Sequence, residues 1–251
     1  MTKIIAISGK GGTGKTMFST LLTKAISEKT DRLLVIDADP DSNLPETLGE
    51  EVETTIGDIR EELKELAQND NVPSGMSKQD YLKSRIFEII VESENGYDLL
   101  VMGRPEGSGC YCSVNSWLRQ IIDNFTKDYE YVIIDTEAGL EHLSRRTTKN
   151  VNTMIVVSDA SKRGLGTAKR IKKLANELEI NFENMFVVAN KVNEENKNIV
   201  EENSKELELN LIGKLPFNEE IAQYDLTGKP LFNISENNPV YLEVKKIANK
   251  L

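Results

Sequence analysis

Cysteine is nearly absent from this sequence, whose 251 residues include only Cys110 and Cys112. Two thiols cannot build the disulfide framework that stabilises many small secreted proteins, so we expect a reducing, cytoplasmic location. Long apolar runs are absent too, since no segment approaches the roughly 20 residues that are needed to span a bilayer. The first residues, MTKIIAISG, lead directly into an apolar run and do not resemble a signal peptide. The sequence therefore predicts neither a secreted nor a membrane-spanning protein.

Positive charge is also in deficit. Acidic residues outnumber basic residues 41 to 31, which gives a net charge of −10. This balance disfavours binding to nucleic-acid backbones and anionic membranes, although it leaves room for a local basic patch, so we expect no nucleic acid and no membrane among its partners. The hydrophobic content of 39% is sufficient to fill the core of one large α/β domain or two small domains.

Short apolar segments recur along the chain and alternate with longer helical patterns. They are continuous runs of valine, isoleucine and leucine, which is typical of parallel strands covered on both faces. These strands are predicted at 3–9, 32–38, 97–103, 129–135, 153–159, 185–191 and 209–216. Helices are predicted near 15–28, 57–68, 78–92, 114–126, 139–149, 163–179 and 194–207. The last residues, YLEVKKIANKL, form either a basic amphipathic anchor or a closing helix packed on the body, and their shortness favours the closing helix. This order predicts an α/β fold with a doubly wound, mostly parallel sheet flanked by helices, in one domain over 1–251.

A glycine-rich segment, GKGGTGKT, joins the first predicted strand to the first predicted helix. It matches the phosphate-loop pattern in the strand-to-helix context that this pattern requires. Main-chain N–H groups provide fixed donors for phosphate oxygens, Lys15 adds a positive charge, and the Thr16 hydroxyl is a ligand for Mg²⁺. The predicted nucleotide-binding residues here are Gly9, Lys10, Gly11, Gly12, Thr13, Gly14, Lys15 and Thr16.

The early lysine of this loop, Lys10, is unnecessary for holding a phosphate within one chain. KGGTGKT resembles the deviant Walker A box of the SIMIBI-class ATPases, the group of MinD, Mrp, ParA and the nitrogenase iron protein. The resemblance implies that Lys10 reaches the phosphates of the partner chain in a nucleotide-promoted homodimer. A cation supplied in this way stabilises charge on the transferred phosphoryl group. The resemblance thus implies an ATPase in which Lys10 and Lys15 are catalytic.

Two further segments resemble the switch regions of the same class. VIDADPDSN at 35–43 resembles the first switch, which implies that Asp39 orients the attacking water and is catalytic. The same resemblance implies that Asp37 supports Mg²⁺ or the dimer contact. VIIDTEAGLEH at 132–142 resembles a Walker B strand followed by the second switch, which implies that Asp135 holds Mg²⁺ through water.

The segment ANKVN, which ends at Asn193, resembles the base-recognition element of GTPases. Asn193 stands where a GTPase has a carboxylate that accepts two guanine N–H bonds, whereas an amide offers one acceptor group. The sequence therefore favours ATP over GTP. We expect Asn190 to contact adenine, with Lys191 beside it. By resemblance, Pro216 and Phe217 belong to the segment that closes over the base.

The two cysteines lie in the glycine- and serine-rich segment EGSGCYCSVN at 106–115. A pair at this spacing reaches one metal ion but fills only half of a four-coordinate shell. Two copies of Cys110 and Cys112 across a dimer axis supply four thiolates, which suit tetrahedral Zn²⁺ or square-planar Ni²⁺. A pair of buried cysteines without a ligand and a strained redox disulfide are the alternatives that the residues leave open.

The C-x-C motif after the third predicted strand, together with AGLEHLSRRT at 138–147, resembles the CooC/AcsF group. These are nickel-insertion accessory ATPases of carbon monoxide dehydrogenase and acetyl-CoA synthase, and the resemblance spans roughly residues 3–220. It implies an ATP-hydrolysing metallochaperone that binds Ni²⁺ or Zn²⁺ and serves one of those nickel enzymes. His142 is either a contact of the metal or partner, or a structural histidine.

Two other functions remain open at this point. A positioning or partition ATPase acting on membrane or DNA predicts a basic surface or a terminal anchor, and it assigns no task to the cysteines. Electron transfer through a bridging iron–sulfur cluster, as in the nitrogenase iron protein, uses cysteines from separate loops, whereas both cysteines here come from one tripeptide. The C-x-C motif and the negative net charge favour the metallochaperone.

Overall fold

The structure is a computed structural model, and it describes residues 1–68, 77–104, 124–137, 150–177 and 181–251. The described strands form one eight-stranded sheet in the order β3-β4-β2-β5-β1-β6-β7-β8. They are β1 (Lys3–Gly9), β2 (Leu33–Ala38), β3 (Val91–Ser93), β4 (Tyr97–Val101), β5 (Tyr131–Thr136), β6 (Asn150–Asp159), β7 (Asn181–Val192) and β8 (Leu211–Pro216). All pairs except β3 with β4 are parallel. The predicted doubly wound, mostly parallel α/β sheet is confirmed.

The antiparallel strand β3 is a correction to the sequence pattern, which predicts a helix through residue 92. The helix ends at Ile89, because Ile90 has extended backbone angles of φ −68° and ψ 126°. The chain then turns back at Gly96, whose φ of +81° suits glycine, so that β3 pairs with β4. The turn residues Asn95 and Gly96 are the hairpin signal that could have indicated this strand.

Eight α-helices lie in the described part of the chain. They are α1 (Lys15–Ser27), α2 (Leu44–Leu48), α3 (Ile56–Gln68), α4 (Lys78–Ile89), α5 (Lys162–Glu177), α6 (Lys197–Glu206), α7 (Glu219–Thr227) and α8 (Pro239–Ala248). The short helices α2 and α7 are absent from the sequence prediction. The predicted closing helix is confirmed as α8, which packs against α1. Most of the helix predicted near 114–126, and all of that near 139–149, lies outside the described residues.

The core has two layers because alternate residues of each strand face opposite sides of the sheet. Along β1, Ile5 and Ile7 join the cluster that contains α1 and α8, whereas Ile4 and Ala6 join the cluster on the other face. Covered on both faces, the central strands are apolar throughout, which is why their sequences show no alternation. No helix in the described ranges is long and apolar enough to cross a membrane.

The polar residues that end these strands lie at one edge of the sheet. The neighbours β2, β5, β1, β6 and β7 are parallel, so their carboxyl ends meet there. Parallel α/β sheets place ligand sites at this edge, where connections diverge to the two faces. The edge therefore assembles residues that are far apart in sequence, including Gly9, Asp37, Asp135 and Asn190.

Candidate nucleotide-binding site

The phosphate loop connects β1 to α1 and depends on glycine at defined positions. Gly12 and Gly14 have φ values of +75° and +91°, in the left-handed region. A Cβ on Gly9 would lie 2.2 Å from the main-chain oxygen of Val157 on β6, so only glycine fits beside that strand. Helix α1 starts without a side-chain cap and without an acidic residue in its first turn. Its first N–H groups are therefore available to an anion.

The loop is held in place by contacts within itself and with β7. Thr13 donates its N–H and its hydroxyl to the carbonyl of Lys10, at 3.3 and 2.8 Å. The side-chain amide of Asn190 donates to the carbonyl of Thr13 at 2.8 Å, and its oxygen accepts the N–H of Lys191 at 2.8 Å. Asn190 is 4% exposed and thus joins the end of β7 to the loop. Its contact with adenine stays a prediction.

Two buried carboxylates lie beneath the loop on adjacent strands. Asp37 on β2 and Asp135 on β5 are register partners in the sheet. Burial raises the pKa of Asp37 to about 7, and the negative charge of Asp135 adds to this rise. Burial also raises the pKa of Asp135 to about 6, against a hydrogen bond that Oδ2 accepts from the Thr16 hydroxyl at 2.9 Å. In these buried positions, ionisation of either carboxyl group is costly unless a cation lies nearby.

Asp135 and Thr16 fit a Mg²⁺ ion. The buried Oδ1 atom of Asp135 has no partner that meets hydrogen-bond geometry among the described groups, although the Ser19 hydroxyl is close enough to lower the pKa of Asp135. Such an oxygen, shielded from water, is unusual. Carboxylate and hydroxyl oxygens are the ligand types that Mg²⁺ prefers, often with water between carboxylate and metal. The donor set at the end of β5 and the start of α1 is therefore suitable for the ion that accompanies nucleotide phosphates.

The first switch segment is arranged around Asp37. Its two carboxylate oxygens accept the N–H groups of Asp39 at 3.0 Å and Leu44 at 3.2 Å. Asp39 in turn accepts the N–H of Asp41 at 3.1 Å and lines the cleft in front of the phosphate loop. Asp37 thus shapes the backbone that presents Asp39, and it lies too deep to line the cleft itself.

The cleft has a volume of about 640 Å³ and extends from the phosphate loop to β8 and α7. Lys191, Pro216 and Phe217 line its far end together with Asn190, so the structure brings the predicted base-side residues to one cleft with the loop. Phe217 is 57% exposed. Sequence reasoning missed further lining residues, which come from α2, α7, the segment between α7 and α8, and the first turn of α8: Glu46, Thr47, Tyr224, Asp225, Lys229, Leu231 and Val240.

Two predicted positions in the described part of the chain, Lys10 and Asn193, lie outside the cleft. Lys10 is exposed and does not line the cleft, so its proposed reach to a partner chain stays a prediction. Asn193 lies three residues before Asn196, the N-cap residue of α6, exchanges hydrogen bonds of 2.9 Å with it, and is likewise not a lining residue. The cysteine pair and His142 lie outside the described residues. Within the described ranges, no group of three or more His, Cys, Asp or Glu residues is arranged to hold a metal ion.

The parallel sheet and its glycine-rich loop define a P-loop nucleotide-binding protein. Residues 4–231 match the family described as the CobQ/CobB/MinD/ParA nucleotide binding domain. The chain belongs to this family of P-loop ATPases.

Relatives of this chain include both uncharacterised and named proteins. It is 71% identical over 248 residues to an uncharacterised ATP-binding protein of Methanocaldococcus jannaschii, covering 99% of this chain and 98% of the relative. It is 30% identical over 240 residues to the carbon monoxide dehydrogenase accessory protein CooC of Rhodospirillum rubrum, covering 92% and 90% of the two chains. Among solved structures, the MinD cell division protein of Aquifex aeolicus has the same fold, with a TM-score of 0.72, 20% identity and coverage of 99% and 96%.

Proposed function

We propose that this P-loop ATPase is a dimerising metallochaperone that binds Ni²⁺ or Zn²⁺ through Cys110 and Cys112 and assists nickel insertion into carbon monoxide dehydrogenase or acetyl-CoA synthase. The observation that carries the proposal is the 30% identity to CooC over most of both chains. The cysteine pair supports it, because two thiolates from each protomer complete a four-coordinate shell only in a dimer. We also propose that residues 1–251 form a single ATPase domain.

In this proposal, the residues at the phosphate end of the cleft act on the phosphates, the Mg²⁺ ion and the attacking water according to their positions. Lys15, which is 8% exposed at the start of α1, contacts the β- and γ-phosphates. Thr16 and Asp135 hold Mg²⁺, which when bound neutralises charge on the phosphate oxygens. Asp39 lines the cleft beyond the loop and orients water for attack on the γ-phosphate. Lys10 completes the site of the partner protomer.

The residues that we propose to bind the adenine base lie at the other end of the cleft. Asn190 and Lys191 bind the nucleotide beside adenine, and Phe217 covers the base together with Pro216. An aromatic ring that is half exposed at a cleft offers a stacking surface to a base without selecting it by hydrogen bonds. The preference for ATP over GTP rests on the sequence alone, because Asn193, which stands where a GTPase has a carboxylate, is not a lining residue of the cleft.

Metal titration under reducing conditions tests the proposed function. We expect one Ni²⁺ or Zn²⁺ per dimer, with thiolate-to-metal charge-transfer absorbance for nickel and a shift toward dimer in sedimentation. Thiolates must lose protons to bind, so the affinity falls as the pH drops below neutrality. Because nucleotide and metal both favour the dimer, each changes the affinity of the other by the same factor.

The variant with Cys110→Ser and Cys112→Ser separates the metal role from the ATPase. It should lose metal binding and retain ATP binding, whereas the control with Ser108→Ala and Ser113→Ala should retain both. One metal per monomer, or metal binding that survives in the cysteine variant, would refute the bridged site. Metal-free protein that binds anionic vesicles in an ATP-dependent manner would support the alternative of a positioning ATPase.

A further inference from the structure

Helix α5 is strongly basic although the chain as a whole is acidic. Its 16 residues carry six basic side chains and one acidic side chain, whereas the chain has a net charge of −10. All six basic residues are exposed, and they span about 16 Å at a rise of ~1.5 Å per residue. We call them the basic face: Lys162, Arg163, Lys169, Arg170, Lys172 and Lys173.

Among the residues that the structure describes, few carboxylates pair with these cations. Lys162 pairs with Glu206 at 2.7 Å, and Lys173 lies 3.6 Å from Glu177. The other four cations have no carboxylate partner in the part of the chain that the structure describes. Burial of the opposite, apolar side of α5 requires an amphipathic helix but not six cations. Like charges one turn apart, as at Lys169 and Lys173, even disfavour the helix.

We propose that the basic face binds an acidic surface of another protein. Helix α6 borders the basic face, since Glu206 bonds to Lys162, and Glu202 lies one turn earlier on α6. A long polyanion such as duplex DNA would also meet these carboxylates and the negative charge of the rest of the chain. A compact acidic patch on a partner protein, by contrast, contacts the cations of α5 without reaching the carboxylates of α6. Charge complementarity of this kind fixes orientation and accelerates association.

Binding of defined acidic probes tests this surface. A fluorescent peptide of consecutive glutamates is titrated into the full chain at low ionic strength, beside a duplex DNA probe of equal charge. We expect the peptide to bind more tightly than the DNA and to be released by salt. The variant with Lys169→Glu and Arg170→Glu should weaken peptide binding about tenfold or more, as charge reversal at an interface does.

A control variant with Lys127→Glu and Lys246→Glu changes the net charge equally at exposed positions outside α5. It should retain most of the peptide affinity. Equal weakening in both variants, or absence of peptide binding by the wild type, would overturn the proposal. Tighter binding of DNA than of the peptide, lost in the α5 variant, would also overturn it and assign the face to nucleic acid.

Two threonine hydroxyls meet between α1, the helix that follows the phosphate loop, and α2. The Oγ1 atoms of Thr20 on α1 and Thr47 on α2 lie 2.6 Å apart. Thr20 Oγ1 also lies 2.9 Å from the carbonyl oxygen of Thr16, and Thr47 Oγ1 lies 2.9 Å from that of Leu44. Three hydrogen bonds would need three protons, and two hydroxyls carry two.

Two proton arrangements satisfy the short contact between the hydroxyls. In one, Thr47 donates to Thr20, and Thr20 donates to the carbonyl of Thr16. In the other, Thr20 donates to Thr47, and Thr47 donates to the carbonyl of Leu44. Each arrangement keeps the link between α1 and α2 and gives up one of the two outer hydrogen bonds.

Both ends of this link lie beside groups of the nucleotide site. Thr16 donates its hydroxyl to Asp135, and Leu44 donates its N–H to Asp37, which also holds the N–H of Asp39. We infer that Thr20 and Thr47 are positioning residues that keep the Asp39 segment aligned with the phosphate loop. This inference rests on the proposed role of Asp39 in ATP hydrolysis and is independent of the cysteine metal site.

Steady-state ATPase kinetics test the hydroxyl link. Thr47→Val keeps the side-chain shape and should lower kcat about three- to tenfold, the effect of one net hydrogen bond, with KM changed by less than about twofold. Thr47→Ser keeps the hydroxyl and should restore kcat. Thr20→Val should match Thr47→Val, and the double variant should lose no more than either single variant, because both break the same link.

If the two threonines only stabilised the fold, their substitution would lower the melting temperature without a selective fall in kcat at constant KM. A kcat of Thr47→Val within about twofold of the wild type, or independent losses in the double variant, would overturn the inference. Asp39→Ala is measured beside these variants and should retain ATP without turnover. Normal turnover in Asp39→Ala would remove the role of Asp39 itself, which distinguishes failure of the proposed mechanism from failure of the link.

Discussion

The two ends of the nucleotide cleft are built in different ways. At the phosphate end, the ionisable groups are enclosed, with Lys15 at 8%, Asp37 at 0% and Asp135 at 1% exposure. At the base end, Phe217 is 57% exposed, and helix α7 behind it contains no buried residue. Enclosure strengthens electrostatic interactions with phosphate, whereas an exposed ring adds contact area with little discrimination. We therefore expect the phosphate end to decide binding and turnover, and the base end to adjust affinity.

The largest expected effect comes from the charge inside the phosphate loop. Lys15→Ala removes the enclosed cation and should weaken ATP binding about 100-fold or more, the loss typical of an unpaired charge in a dry site. Lys10→Ala removes an exposed cation and should spare ATP binding by the monomer while abolishing ATP-induced dimerisation and turnover. Isothermal titration and sedimentation measure the two properties separately. Equal affinity losses in both variants, with dimerisation intact, would contradict this division of roles.

Backbone shape at the phosphate end should be nearly as sensitive. Gly14→Ala combines a φ of +91° with a Cβ that would lie 2.4 Å from the Asn190 amide nitrogen. Unfolding by urea without nucleotide should show a loss of about 2–4 kcal/mol from strain and overpacking. Gly11→Ala is the matched control, since a Cβ there meets nothing within 4 Å. A similar loss of stability in both variants would show that the conformation of Gly14 is not the cause.

The enclosed carboxylates predict a pH dependence of the free energy of unfolding, measured with a chelator and without nucleotide. The pKa of Asp37 rises from its ordinary value of 3.8 to about 7, so the folded state binds this proton more tightly than the unfolded state. The contribution of Asp37 is therefore full below pH 3.8 and is lost as the pH rises to about 7. Asp37→Asn should flatten this part of the profile, and an unchanged slope would exclude Asp37 as its source.

The smallest effect is expected at the base end. Phe217→Ala removes an exposed ring from the cleft and should weaken ATP binding by about 1 kcal/mol, roughly fivefold, while kcat at saturating ATP stays the same. Leu226→Ala is the control, because Leu226 is 86% exposed on α7 and does not line the cleft. A fall in kcat with Phe217→Ala would show that this ring affects ATP hydrolysis and not only ATP affinity.

Much of the phosphate end could be predicted from sequence because its residues are local. Gly9 to Thr16 form one continuous segment, whose glycines and helix start define its shape without distant residues. Asp37, Asp39 and Asp135 were recognisable because their segments resemble the switch regions and Walker B strand of the SIMIBI-class ATPases, at the ends of parallel strands that share one edge of the sheet. The base end was harder, since exposed residues such as Tyr224 and Lys229 follow no periodic pattern that distinguishes them from other surface residues.

By itself, the sequence determined the parallel sheet, the phosphate loop and the position of the paired cysteines in the chain. These features depend on local patterns: apolar runs, a glycine-rich strand-to-helix turn and a C-x-C spacing. Only the tertiary structure decided that Asn190 holds the carbonyl of Thr13, that Asp37 organises the switch backbone, and that Thr20 meets Thr47. The physical reason is that a hydrogen bond requires two groups within about 3 Å, and this proximity arises from strand order and helix packing. The same holds for the basic face of α5, where side chains of ordinary surface type become a charged surface once the helix buries its apolar side.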